Sequence, residues 1–220
     1  MMGVRGDPTD LAPPERLTLA LRDAQRIAFD LDGTLYDTRD FERPALASVA
    51  GWLRMKSGRP LTGLTEDFWA RRETDRHRPG LFDDLLLKYD LPGSWGAECL
   101  RRLHEHPAQE LQCADSLKEY LLGLRADGRR LALVSNGPDA LQARKCDLLG
   151  LAGIFDSCIY CDPKFPERQK PSPWAWSQLA DWRGTLRTLY VGDDPVDDRF
   201  AASGGAGFVC FRFRSPKYEN

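Results

Sequence analysis

A chain of 220 residues, 42% hydrophobic and 29% charged, has enough apolar content for a sizeable core under a charged surface. Its formal net charge of −2 supplies no field for gripping nucleic acid or an anionic membrane, and no apolar run approaches the roughly 20 residues that would span a bilayer. The six cysteines are scattered, unlike a secreted disulfide scaffold, and Cys158 and Cys161 have zinc-ligand spacing without a second pair beside them.

Residues 1–15, rich in Pro, Gly and Asp, read as a loosely held arm without the apolar stretch of a secretory signal, so a cytoplasmic protein is expected. "PERLTLALRDAQ" predicts a short helix, and "RIAF" then reads as a buried strand ending at Asp30. From about Thr38 to Glu110 no strand is convincing; "ALASVAGWLRM", "TEDFWARRETD", "LFDDLLLKYD" and "SWGAECLRRLHEH" read as helices. The basic run Arg71–Arg78 within them suits a solvated helix face.

Beyond this insert, "ADSLKEYLLGLRADG" carries Leu117, Tyr120, Leu121 and Leu124 at helical spacing. Ser116 with Glu119 gives a capping-box signal, and Gly128 a stop. "RRLALVSNG" is an apolar run stopping at Ser135, followed by the helical "PDALQARKCDLLGL". "FDSCIYCD" is a weaker strand and "PSPWAWSQLADW" a further helix. "RTLYVGDD" is an apolar run stopping at Asp193, and "GAGFVCFRF" a final strand, with Arg212 and Arg214 in a solvated tail. "GGAGFVCF" approaches an RNA-recognition strand pattern but lacks its leading basic residue and has Ala206 where a stacking aromatic belongs.

Strands alternating with helices predict an α/β core: a Rossmann-like parallel sheet with helices on both faces. With the insert, three regions are expected: an arm at 1–15, a core from 16–37 and 111–220, and an all-helical unit at 38–110. In such sheets ligands bind outside the carboxyl ends of the strands, and the polar clusters fall there. They are Asp30 and Asp32; Ser135, Asn136 and Gly137; and Asp193, Asp194, Asp197 and Asp198, with Lys170 of "RQKPSP" in a loop. Two carboxylates two residues apart repel, and a divalent cation would relieve them. Hard oxygen donors without histidine favour Mg²⁺ beside a phosphate substrate, where a held carboxylate can attack phosphorus in line.

In that order, "DLDGT", "LVSNG", the lysine of "KPSP" and "VGDDPVDD" resemble the four motifs of the haloacid dehalogenase superfamily, subfamily I, whose helical C1 cap the insert is similar to. The match covers roughly residues 25–60 and 110–212. The resemblance implies Asp30 as nucleophile and Asp32 as general acid, then base, with its backbone carbonyl on the metal. It implies Ser135 and the Asn136 N–H on the phosphoryl oxygens, and Lys170 neutralising phosphate and orienting Asp30. Asp193, and Asp198 directly or through water, would complete a metal set with Asp30 and Asp32; of the added acids Asp194 and Asp197, either one joins that shell or both face water, and Asp197 is expected to face water. Because dehalogenases lack an acid at the position of Asp32, the resemblance implies a Mg²⁺-dependent phosphatase of small phosphorylated metabolites, working through an aspartyl phosphate. A phosphosugar mutase or phosphotransferase of the same family, or a non-catalytic phosphometabolite-binding module, is the alternative. No nucleic-acid or membrane partner is expected, and oligomeric state is open.

Overall fold

The structure is a computed structural model that describes residues 13–74, 80–107, 111–182 and 186–218. Most of the arm and the end of the Arg71–Arg78 run lie outside those residues. The chain divides into two compact units, Met1–Asp37 with Leu111–Asn220, and Thr38–Glu110. Among the described residues no helix is long and apolar enough to cross a membrane.

The first unit is built on five parallel strands: β1 (Arg26–Phe29), β2 (Arg130–Asn136), β3 (Ser157–Cys161), β4 (Thr188–Gly192) and β5 (Gly207–Cys210). Their order is β3-β2-β1-β4-β5. The central strand β1 is buried along its whole length, which explains why "RIAF" does not alternate polar with apolar residues. It pairs with β2 on one side (Phe29 beside Leu133) and with β4 on the other (Phe29 beside Val191). β1 and β4 thus end within one residue of each other, whereas β2 runs three residues further, to Asn136. Strand β5, the "GGAGFVCF" segment, is an edge strand held to β4.

Helices cover the sheet. Helix α1 (Pro13–Leu21) precedes β1 and α6 (Asp115–Ala126) precedes β2; α6 buries Leu117, Leu121 and Leu124 at the predicted spacing. Its start differs from the expectation. The N-cap is Ala114, without a side-chain cap, so Ser116 already lies inside the first turn and cannot cap it. The stop agrees with the sequence: Gly128 has φ +80°, a conformation that costs glycine nothing. Helices α7 (Asp139–Leu148), α8 (Trp174–Gln178) and α9 (Pro195–Ser203) follow β2, β3 and β4. One face of the sheet packs Ala28, Ala132, Val134 and Tyr190 with Ala175, Leu179, Trp182, Phe200 and Ala201. There Trp176 stacks on Phe200, ring centroids 4.9 Å apart.

The second unit is all helical among its described residues: α2 (Arg39–Ser57), α3 (Leu64–Thr74), α4 (Asp83–Lys88) and α5 (Gly96–Glu105). It has its own small core, with Leu46, Val49, Ala50 and Leu53 of α2, Leu64 and Phe68 of α3, and Phe82, Leu85 and Leu86 all buried. Phe68 and Phe82 contact at 5.2 Å between centroids. Aliphatic side chains on one face of α2, four and three residues apart, are what a bundle helix requires.

Candidate active site

Asp30 follows β1 directly and stays in the ladder, its N–H donating to the Val191 carbonyl at 2.8 Å. The chain then turns: the Gly33 N–H reaches the Tyr36 carbonyl at 3.2 Å and the Leu35 N–H the Leu31 carbonyl at 3.0 Å. Gly33 sits at φ +89°, and a Cβ added there would lie 2.4 Å from Asp193 Oδ2. The glycine of "DLDGT" therefore serves twice, as a left-handed corner and as the gap through which Asp193, at the end of β4, approaches this turn.

Lys170 is the hub. Its buried ammonium donates to Asp30 Oδ1 at 2.7 Å, to Asp197 Oδ1 at 2.7 Å and to the Tyr190 hydroxyl at 2.9 Å. Tyr190 in turn donates to the Val134 carbonyl at 2.8 Å. Asn136 fixes the lysine's backbone: its Oδ1 accepts from the Lys170 N–H at 2.8 Å and its Nδ2 donates to the Lys170 carbonyl at 3.3 Å. The sequence assigned Asn136 only an N–H for phosphate; its side chain ties the end of β2 to the lysine loop.

Two buried carboxylates thus share one ammonium. Burial, opposed by Lys170 but reinforced by Asp197 and Asp32, pushes the Asp30 carboxyl up to about 8. Lys170, despite burial that favours its neutral form, is held charged by Asp30, Tyr190 and Asp197. One carboxylate oxygen from each of Asp30, Asp193 and Asp197 lies within 4.8 Å of the other two. Buried hard oxygens with an excess of negative charge suit a divalent cation.

This grouping corrects one expectation: Asp197, expected to face water, is 1% exposed and inside the group. Asp198 is exposed and lies outside it. The cause is the helix start. Asp194 is the N-cap of α9, accepting from the Val196 N–H at 2.9 Å, and Asp197 completes a capping box by accepting from the Asp194 N–H at 3.2 Å. That reciprocal bond turns Asp197 inward to Lys170, and the next residue, about 100° further round the helix, faces out.

Asp32 has the opposite surroundings. Its Oδ1 accepts from Lys145 Nζ at 2.7 Å and from the Tyr36 hydroxyl, and its Oδ2 from Gln142 Nε2 at 2.7 Å. Burial alone would raise its carboxyl; the Lys145 ammonium, with the Tyr36 and Gln142 bonds, overrides it and holds the group at about 2. Ser135, 1% exposed at the end of β2, accepts from the same Gln142 amide at 2.8 Å. It does not cap α7, whose N-cap is Pro138.

Arg212 corrects the expectation of a solvated tail. Its Nε donates to Asp193 Oδ2 at 2.9 Å and its NH2 group to the Asp193 carbonyl at 3.0 Å. The segment beyond β5 is bound along the site, the Phe213 N–H on the Gly33 carbonyl at 2.8 Å and the Ser215 N–H on Asp37 Oδ2 at 3.0 Å. Of the cysteine pair, Cys161 is buried and Cys158 exposed, and among the described residues neither joins a group of three metal-ligating side chains.

Comparison with known proteins places the chain. Residues 25–205 match the haloacid dehalogenase-like hydrolase family. A phosphoglycolate phosphatase of Aliivibrio fischeri is 30% identical over 191 residues, covering 83% of this chain and 82% of that one. A phosphoglycolate phosphatase of Cereibacter sphaeroides is 28% identical over 200 residues, 84% of each. Among solved structures, CbbY from Rhodobacter sphaeroides in complex with phosphate shares the fold, with a TM-score of 0.56, 19% identity and 90% of each chain covered. The chain belongs to the haloacid dehalogenase-like hydrolases. Within that family it is a phosphoric monoester hydrolase.

Proposed function

We propose that this phosphatase hydrolyses a small phosphorylated metabolite, with Mg²⁺ held by Asp30, Asp193 and Asp197, through an aspartyl phosphate on Asp30. One observation carries the reading: Asp30 stands buried between Lys170 and two further carboxylates, three acids against one ammonium and the half-exposed Arg212 guanidinium. When bound, Mg²⁺ would supply the missing positive charge and offset that developing on the phosphoryl oxygens. The raised carboxyl of Asp30 would then lose its proton, since ligands bind in their ionised form.

The chain's own groups divide the remaining work. Asp30 attacks phosphorus as the bond to the leaving oxygen breaks. Lys170 holds the nucleophile in one orientation through the 2.7 Å bond and offers positive charge toward the phosphate. Ser135 and the backbone at the end of β2 hold the phosphoryl oxygens. Asp32 acts on the leaving side. It is a carboxylate at neutral pH, the form that takes a proton from water in the second half-reaction. For the first half the proton arrives with the substrate, because a phosphate monoester still carries one below its second pKa of about 6.

The substrate class follows from the relatives. Both sequence relatives reported above are phosphoglycolate phosphatases, so 2-phosphoglycolate heads the panel of phosphorylated metabolites. Turnover of 4-nitrophenyl phosphate should appear with Mg²⁺, vanish with EDTA and return on adding the metal. Steady release of phosphate without a bisphosphate primer separates hydrolysis from phosphoryl transfer between sugars. No turnover anywhere from about pH 5 to 9, a span that includes the ordinary titration range of histidine, would instead favour a binding module.

A further inference from the structure

Two residues of α7 have no part in the family motifs, yet both converge on Asp32. Gln142 and Lys145 lie three apart, so they share one face of the helix. Gln142 is 1% exposed and Lys145 5% exposed, and a lysine is seldom so buried unless paired. Lys145 Nζ donates to Asp32 Oδ1, and Gln142 Nε2 donates to Asp32 Oδ2, each at 2.7 Å. The same amide reaches Ser135 Oγ at 2.8 Å and the Asn136 carbonyl at 3.2 Å.

The backbone makes room for this. Gly137 has φ +150°, and a Cβ there would stand 2.8 Å from Gln142 Cδ. The Gln142 Oε1, buried, has no partner among the described residues. A side chain kept only to fill space would be apolar, since an unpaired buried carbonyl carries a desolvation cost. Its amide hydrogens are what the position uses.

A carboxylate has about four lone-pair sites. With the Tyr36 hydroxyl, three donors occupy three of them, two on Oδ1 and one on Oδ2. The remaining site is on Oδ2, and the Asp32 side chain is 26% exposed, so that site has a route to reactants.

We propose that Gln142 and Lys145 are positioning residues: they clamp Asp32 so that one lone pair of Oδ2 alone faces the leaving oxygen and, later, the attacking water. This rests on the phosphatase reading above. In the first half-reaction Oδ2 relays the proton that the phosphate monoanion brings with it to the leaving oxygen, as the bond from that oxygen to phosphorus breaks and the Asp30–phosphorus bond forms. In the second, Oδ2 takes a proton from water as water attacks phosphorus and the Asp30–phosphorus bond breaks. That proton then leaves with the product phosphate, which returns Asp32 to the carboxylate.

The test compares kcat/KM for two leaving groups. 4-Nitrophenolate departs without a proton, whereas phenolate, a much stronger base, needs one. In Lys145→Met the ratio of 4-nitrophenyl phosphate to phenyl phosphate should rise at least about tenfold, at the low end of what a positioned acid contributes. Gln142→Leu should shift it the same way by less, and it stands in should Lys145→Met fail to fold. In an Asp32→Asn background, Lys145→Met should leave the ratio unmoved. A folded Lys145→Met or Gln142→Leu enzyme that loses both activities in equal proportion would overturn the proposal, as would a ratio shift that persists in full without Asp32. Asp30→Asn tells the two levels apart: turnover surviving there removes the covalent mechanism itself, whereas its loss beside an unshifted ratio removes only the clamp.

Discussion

Asp30 and Asp32 leave the same strand two residues apart, and the molecule treats them in opposite ways. On the Asp30 side carboxylates outnumber cations: Asp30 and Asp197 share Lys170, and burial leaves the Asp30 carboxyl at about 8. On the Asp32 side donors outnumber acceptors: an ammonium, a phenol and an amide meet one carboxylate, which sits at about 2. A pair of titratable groups pushed apart by their surroundings marks a division of labour. One acid shares its ammonium with a second carboxylate, and the other pairs with the ammonium of Lys145.

Removing the nucleophile breaks that comparison most severely. Asp30→Asn should lower turnover of any phosphate ester by at least about 10³-fold, within the range reported for loss of a reacting group, with the fold retained. It should also change stability with pH. Between the ordinary carboxylate pKa of 3.8 and about 8, the native metal-free protein binds a proton at Asp30 that the unfolded chain has released. Stability therefore falls as pH rises through that window, and Asp30→Asn should lack this part of the slope. Thermal unfolding in EDTA from the acid to the alkaline end of the window checks it. Asp32 has the opposite sign: its contribution is complete above pH 3.8 and is lost as pH falls toward about 2.

Next in size is the pair Asp197 and Asp198. Asp197→Asn should impair both Mg²⁺ binding and turnover, whereas Asp198→Asn, on an exposed position, should leave both near normal. Steady-state rates against Mg²⁺ concentration measure the contrast. Gly33→Ala should follow, since the new methyl group would stand 2.4 Å from Asp193 Oδ2 at φ +89°. The backbone alone would cost about 1–2 kcal/mol, and displacement of Asp193 should weaken the metal further, both read from unfolding with and without Mg²⁺.

The smallest effect is expected at Arg212. Its guanidinium neutralises Asp193 at 2.9 Å, but its side chain is 44% exposed, and solvent-screened pairs of this kind are worth about 1 kcal/mol at most. Arg212→Ala should free Asp193 and lower the Mg²⁺ concentration for half-saturation by a few-fold. An unchanged or higher requirement would mean that Arg212 positions Asp193 for the metal instead of competing for it.

The strands and their exits were legible because burial writes a plain signal: an apolar run that stops at Asp30, Ser135 or Asp193 can only be a strand meeting solvent or a ligand. What stayed hidden depended on direction. Tyr190 in "TLYVG" reads as one more apolar residue, although strand alternation turns its hydroxyl toward Lys170. Gln142 and Lys145 look like surface polar residues of a short helix; their three-residue spacing put them on one face, but nothing in the chain said which way that face points. Asp197 and Asp198 are indistinguishable by type, and only the capping box of α9 decides between them. Arg212 lies nineteen residues beyond Asp193 in sequence, so its bond to that acid required the β4–β5 pairing to be known.

The most direct measurement is mass spectrometry of the enzyme quenched in acid during turnover of 4-nitrophenyl phosphate, followed by peptide mapping. A phosphoryl group on the peptide containing Asp30, absent from Asp30→Asn and from enzyme stripped of metal, is the expected result. A phosphoryl group on any other residue, or full turnover in Asp30→Asn, would contradict the assignment.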